Sequence, residues 1–370
     1  MNSSTELVSF STEFPRHILP LLRCRVDGGE LILKEQSAVG SSGLTDGFLS
    51  CSRCRTEYRI ESGILRMLPG DLSGENTHEI ECKNQEYLAM SESFVSFPIG
   101  WRSELKDRIE IPPHLEALGP LEGKRVLEFG CGDGRFTLLM AQLGAEVLAV
   151  DFSIEGLRRL SRNLSSGVAP TTYKVRPRLS GSDLRGRVGL VQADASQFRA
   201  APRSFDRALS ATPLDGRDER MTMFRNISDA LKDDGRFVGG VEHDDLRRRA
   251  LGLPVARRYS PGGIFIEHFT TPAIRREVAP FFGRIRVRPI RAHVPFLQRL
   301  PIKLVTAVSL VIAAIPGLRQ LGEILLMSAE RPIRSLEPEG VSRPGNRAIK
   351  GIYLWFKRRR GEEIDRELQA

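Results

Sequence analysis

Cysteine is scarce in this chain, with five in 370 residues. So few, in so long a chain, cannot make a disulfide framework, and a reducing cytoplasm is the expected setting. A secretion signal is also lacking, because residues 1–15 are rich in Ser and Thr and have no apolar core. Long apolar runs are missing too. The uncharged stretch Leu304–Ile315 is twelve residues, short of the roughly eighteen that a spanning helix needs. Disulfide scaffolds and integral membrane proteins are thereby set aside, leaving a cytoplasmic protein with at most peripheral membrane contact. Hydrophobic (41%) and charged (27%) fractions are those of a soluble globular protein. The length predicts two domains, or one enlarged by additions. A net charge of +9 points to an anionic partner, whether nucleic acid, membrane surface or phosphorylated substrate, without choosing among them.

What is present is organised around residues 125–153. Val126, Leu127 and Phe129 form an apolar run that stops at three alternating glycines, Gly130, Gly132 and Gly134. Phe136, Leu139, Met140 and Leu143 are spaced for one buried face of a helix, and Glu146–Val150 is a second strand that ends in Asp151. This strand, glycine turn, helix and strand make a right-handed parallel crossover the simplest reading. Glycines let a ligand approach backbone, and the helix behind them presents unpaired N–H groups. An acid about 20 residues past such a loop takes ribose hydroxyls. Dinucleotide folds use G-x-G-x-x-G with a pyrophosphate at the helix start. This loop is G-x-G-x-G, and Glu128 and Asp133 beside it would repel pyrophosphate but suit an amino group and a sulfonium.

The run Val-Leu-Glu-Phe-Gly-Cys-Gly-Asp-Gly closely resembles motif I of the class I S-adenosylmethionine-dependent methyltransferases. The resemblance implies a Rossmann-like, doubly wound, mostly parallel seven-stranded α/β sheet. It places Glu128, Gly130, Cys131, Gly132, Gly134, Asp151, Phe152, Asp194, Ala195 and Ser210 around the cofactor, with Asp151 on the ribose. Asp194, the acid that ends the next strand from Val188, would meet the adenine amino group, and Ala195 would supply a backbone N–H. The family's nucleic-acid and glutamine amino methylases carry (Asn/Asp)-Pro-Pro-(Tyr/Phe) at the reaction edge. Ser210-Ala-Thr-Pro213 is not that run, which argues against exocyclic amine methylation of adenine or cytosine.

Residues 18–69 read as a small separate module: Cys24-Arg-Val-Asp27, a polar loop, then Cys51-Ser-Arg-Cys54. Two pairs with two-residue spacing are how zinc ribbons assemble a tetrahedral site. The module resembles the zinc-ribbon-like domain of tRNA-methyltransferase activator subunits, with Asp27 where the second cysteine usually stands. Cys24, Asp27, Cys51 and Cys54 are therefore the candidate Zn²⁺ ligands. Residues 1–17 read as a flexible terminus and 70–120 as a linker with lid helices, in which Pro112-Pro113 marks a turn. The methyltransferase domain is expected over 121–295.

Residues 296–370 are expected as a helical extension. Its apolar segments Leu304–Ile315 and Leu318–Met327 would form a hairpin burying Leu304, Val308, Val311, Ile315, Leu321 and Leu325, and its end Tyr353–Arg360 is aromatic and basic. The alternative for this hairpin is an interfacial membrane anchor. His243 and His268 follow predicted strand ends and are the candidate general bases, with Glu242 and Glu267 beside them. The leading function is methyl transfer to a small-molecule acceptor, natural-product or lipid-linked. The alternative is an RNA methyltransferase, for ribosomal or transfer RNA, whose ribbon recognises RNA.

Overall fold

The computed structural model describes residues 13–34, 38–39, 43–69, 74–90, 101–179, 182–211, 217–254, 258–259, 265–292 and 300–334. The expectations for residues 1–12, for Thr212-Pro213 and for the aromatic, basic end Tyr353–Arg360 lie outside the described residues.

Short runs of β-branched and aliphatic residues build the sheet. In the first part of the chain they are β1 (Gly43–Cys51), β2 (Glu57–Glu61) and β3 (Ile64–Arg66). Two helices follow, α1 (Gly74–Ala89) and α2 (Trp101–Leu118). Next come β4 (Arg125–Phe129), α3 (Thr137–Gln142), β5 (Glu146–Asp151), α4 (Ile154–Ser166) and β6 (Val188–Gln192). The rest is β7 (Phe205–Ser210), α5 (Arg217–Ala230), β8 (Leu231–Glu242), α6 (Thr271–Val278), β9 (Phe282–Ala292), α7 (Ile302–Ala314) and β10 (Gly322–Pro332). Seven of the strands run in the order β6-β5-β4-β7-β8-β10-β9. The first five are parallel, and β10 is antiparallel to both β8 and β9. Parallel strands with helices on both faces are buried on both sides, and β4, β5 and β6 are accordingly near-continuous apolar runs. This is the Rossmann-like architecture expected.

Three features differ from the sequence reading. The N-terminal module is not set apart: β3 pairs in parallel with β6, so β1, β2 and β3 continue the central sheet. Its buried Ile18, Leu22 and Leu49, with Phe14 just before it, belong to the same apolar core as Phe129 and Val150. Pro112 and Pro113 lie inside α2 rather than at a turn. Finally, the core is not complete at 295 and the second half of the supposed hairpin is not helical. Residues 318–321 make one 3₁₀ turn and 322–332 are β10, inserted between β8 and β9. The run Ile324-Leu-Leu-Met-Ser-Ala is apolar on successive residues because a central strand is buried on both faces. Helix and central strand look alike in so short an apolar run.

Candidate active site

The carboxyl ends of β4, β5, β6, β7 and β8 open into a cavity of about 540 Å³, where doubly wound sheets take their ligands. Gly130, Gly132 and Gly134 all have positive φ, at 68°, 52° and 95°. At two of them a side chain would also force a neighbour to move, for distinct reasons. A Cβ at Gly132 would stand 2.3 Å from Tyr87 Oη, and one at Gly134 would stand 2.3 Å from Leu160 Cδ1. Gly132 thus keeps the cavity floor low, whereas Gly134, which does not line the cavity, lets α4 approach the loop.

Asp151 fixes that loop. Its Oδ2 accepts from Gly132 N at 2.8 Å and its Oδ1 from Ser153 N at 2.8 Å. Burial raises its pKa, and the two backbone bonds oppose the shift. Glu128, buried at the end of β4, accepts from Thr137 Oγ1 at 2.6 Å, and burial pushes its carboxyl up to about 8. Asp194 accepts from Ser196 N at 2.8 Å and Ser196 Oγ at 2.7 Å, so it also caps its own turn. The structure brings Glu128, Gly130, Cys131, Gly132, Asp151, Phe152, Asp194, Ala195 and Ser210 to the cavity wall together.

Helix α1 supplies the cover. Asn84 Oδ1 accepts from Ser153 Oγ at 2.7 Å, and Lys83 and Tyr87 line the cavity beside the loop. Burial, and then the charge of Asp151, raises the Tyr87 phenol pKa and keeps it neutral.

Neither candidate histidine lines the cavity. His243 is buried, its Nδ1 is 2.6 Å from Gly322 O, and burial lowers its pKa. Its neighbour Glu242 points the other way along β8, since alternate strand residues face opposite sides, and Glu242 does line the cavity. A charged part of the cavity lining was, apart from Glu242, not anticipated from sequence. It is formed by Lys106 and Glu110 from α2, by Arg135, by Glu242, and by Arg291 from the end of β9. Glu110 contacts Arg135 Nη1 at 3.0 Å and Arg291 Nη1 at 3.2 Å. Burial opposes its charge, but Arg135 and then Lys106 hold its carboxyl down at about 2. Arg291 also reaches Glu242 at 3.7 Å and Glu323 at 3.2 Å. Burial raises the Glu242 pKa, with Arg291 pulling the other way. The four-residue spacing of Lys106 and Glu110, one face of a helix, was the available signal. Arg291 had none beyond its place after a strand.

The second constellation lies in the N-terminal module. One ligand atom each from Cys24, Asp27, Cys51 and Cys54 lies within 4.8 Å of all the others. Cys24 Sγ and Cys54 Sγ are 3.5 Å apart, and Cys51 Sγ is 3.3 Å from Asp27 Oδ1. Tetrahedral zinc with bonds of about 2.3 Å sets sulfur atoms about 3.8 Å apart, so these residues fit a metal. Both turns have the same shape: Gly28 N donates to Cys24 O at 2.9 Å and Arg55 N to Cys51 O at 3.2 Å, with Gly28 and Arg55 at positive φ. Asp27 thus holds a ligand position in one of two matched knuckles. Gly29 is required beside it, because a Cβ there would stand 2.7 Å from Cys51 Sγ. Burial pushes the Cys51 thiol up to about 11, whereas the Thr56 hydroxyl and backbone lower that of Cys54.

Residues 126–235 match the family described as "Methyltransferase domain". A phosphoethanolamine N-methyltransferase of Arabidopsis thaliana is 48% identical over 59 residues, 16% of this chain and 12% of that protein. A demethylmenaquinone methyltransferase of Clavibacter sepedonicus is 31% identical over 122 residues, 33% of this chain and 42% of that protein. These matches thus cover less than half of either relative. Among solved structures, an S-adenosylmethionine-dependent methyltransferase from Mesorhizobium loti aligns at a TM-score of 0.41 with 20% identity, over 63% of this chain and all of that one. Residues 126–235 are thus similar to a methyltransferase domain.

Proposed function

We propose that this protein transfers a methyl group from S-adenosylmethionine to a small-molecule acceptor, natural-product or lipid-linked, with Glu242 as the proton acceptor. The observation that carries the proposal is a single cavity with two unlike walls. One is the glycine loop with Asp151 and Asp194, and the other is Lys106, Glu110, Glu242 and Arg291. The names of the relatives, for phosphoethanolamine and for demethylmenaquinone, support a small acceptor.

The residues of the first wall suit the cofactor. Gly130 and Gly132 would lie under its amino-acid portion, beside Tyr87, and the Glu128 carboxyl, largely neutral, could donate as well as accept there. Asp151 would take the ribose hydroxyls and Asp194 the adenine. S-adenosylmethionine supplies, when bound, a methyl on a sulfonium open to in-line displacement. The protein's part is chiefly alignment, and Tyr87 and α1 exclude water from the loop. Glu242 takes the proton that the acceptor must lose, because it is a carboxylate at the cavity wall whose raised pKa makes it a stronger base than an ordinary one. Cys24, Asp27, Cys51 and Cys54 would hold Zn²⁺ as a structural ion remote from this chemistry.

Incubation with methyl-labelled cofactor and a cell extract tests the assignment. Label is expected in small, RNase-resistant products, and label in RNase-sensitive material would favour RNA as acceptor. Glu242→Gln is expected to lower kcat about 10²- to 10³-fold with cofactor affinity unchanged. The wild-type rate should rise with pH through the raised Glu242 pKa, since only the ionised form accepts a proton. The variant should lose that acid limb. A variant that keeps both rate and limb would remove Glu242 from the role.

A further inference from the structure

We propose that α7 and the cationic recess at its C-terminal end form a docking surface for an anionic lipid bilayer. The helix is turned inside out relative to a self-contained fold. Leu304, Leu310, Val311, Ile315 and Leu318 are 43–60% exposed. Leu304 and Val311, seven residues apart, share one face of the helix, and Ile315 and Leu318 continue the exposed apolar run past its end. The face turned inward carries Val305, packed on Leu105 and Ile109 of α2, and the buried Ser309, whose Oγ has no partner among the described residues. The burial expected for Leu304, Val311 and Ile315 is therefore not observed, and Leu325 is buried only because it belongs to β10. The stripe is not isolated either: the helical turn Leu246–Ala250 packs beside residues 318–321, and Leu246, Leu251 and Leu253 are exposed there.

Charge selects the partner. Across α7 and the turn that follows it, residues 302–321, the charged residues are Lys303 and Arg319, with no Asp or Glu. Lys303 is exposed in the first turn of α7. Just past the last turn, Arg319 lines a recess together with Thr270, Thr271, Gln320 and Arg249, the last ion-paired with Asp244 at 3.4 Å. Arg319 Nε is buried there without a partner among the described residues. An apolar helix with Lys303 in its first turn, Arg319 just past its last and no Asp or Glu of its own suits a place in the headgroup plane of an anionic membrane. A second copy would instead bring two cationic rims together. Thirteen helical residues span about 20 Å, a length for lying on a bilayer rather than crossing it, and no described helix is long and apolar enough to cross one.

The test is flotation of the full-length protein with vesicles of phosphatidylcholine, with and without phosphatidylglycerol. The readout is binding, so it stands or falls separately from the methyl-transfer proposal. Binding is expected with phosphatidylglycerol, at least tenfold weaker without it, and weaker in high salt. Val311→Glu, at an exposed position that leaves the fold intact, should reduce binding at least tenfold. Arg319→Gln should reduce the preference for phosphatidylglycerol. Failure of the wild type to float with anionic vesicles overturns the proposal, as does a Val311→Glu variant that floats unchanged. Sedimentation showing a dimer that Val311→Glu disperses, with no vesicle binding, would assign the stripe to a second copy and equally overturn it.

Discussion

Arg291→Ala is expected to destabilise the protein by about 3–5 kcal/mol, the cost of removing one member of a buried ion network. Arg291 stands between Glu110, Glu242 and Glu323, and its side chain is 16% exposed. Removing it leaves Glu110, 4% exposed, with less of the compensation that holds its pKa near 2. The carboxyl would then be driven toward its neutral form. Arg291 also has φ of 59°, a conformation that costs a non-glycine residue about 1 kcal/mol or more. Arg291→Gly removes the same charge and relieves that strain, so it should be less harmful than Arg291→Ala by about 1 kcal/mol. Denaturant unfolding of both variants checks this. A loss below about 1 kcal/mol for Arg291→Ala would show that the network does not hold the wall together.

Removal of metal should have an effect of similar size. The N-terminal module is not an appendage, because β3 is hydrogen-bonded to β6 and its core residues are shared with the central sheet. Binding energy at a structural metal site is folding energy. Purified protein is expected to carry one zinc per chain by elemental mass spectrometry. Cys51→Ser should lose it, with on the order of 3–5 kcal/mol of stability. Asp27→Cys, which completes four thiolates, should retain zinc more tightly against a chelator. Protein grown with zinc that carries none, and whose unfolding a chelator leaves unchanged, would contradict the assignment of Cys24, Asp27, Cys51 and Cys54.

The first wall of the cavity was legible in sequence because its parts are local. Gly130, Gly132 and Gly134 stand between a strand and a helix, and Asp151 and Asp194 end the next two strands, so spacing alone brings them to one edge. The matched Cys24–Asp27 and Cys51–Cys54 turns were legible for the same reason. The second wall was not, because Lys106, Arg135, Glu242 and Arg291 meet only through long-range packing of α2 against β8 and β9. His243 misled as a base: its position after a strand end was right, but alternation along β8 directs Glu242 to the cavity instead. The tail misled through pattern, since β10 is buried on both faces and its apolar run has no alternation to mark a strand. Nor does hydropathy reveal that α7 turns Leu310 and Val311 outward and Ser309 inward.

Calorimetric titration of S-adenosylhomocysteine into wild type and Asp151→Ala tests the central claim most directly. Asp151 both ties down Gly132 and faces the cavity, and a charge-assisted contact to hydroxyls is worth roughly 2–3 kcal/mol. Wild type is expected to bind one equivalent, and Asp151→Ala to bind about 30- to 150-fold more weakly. Equal affinity in the two proteins, or no binding by either, would contradict the account.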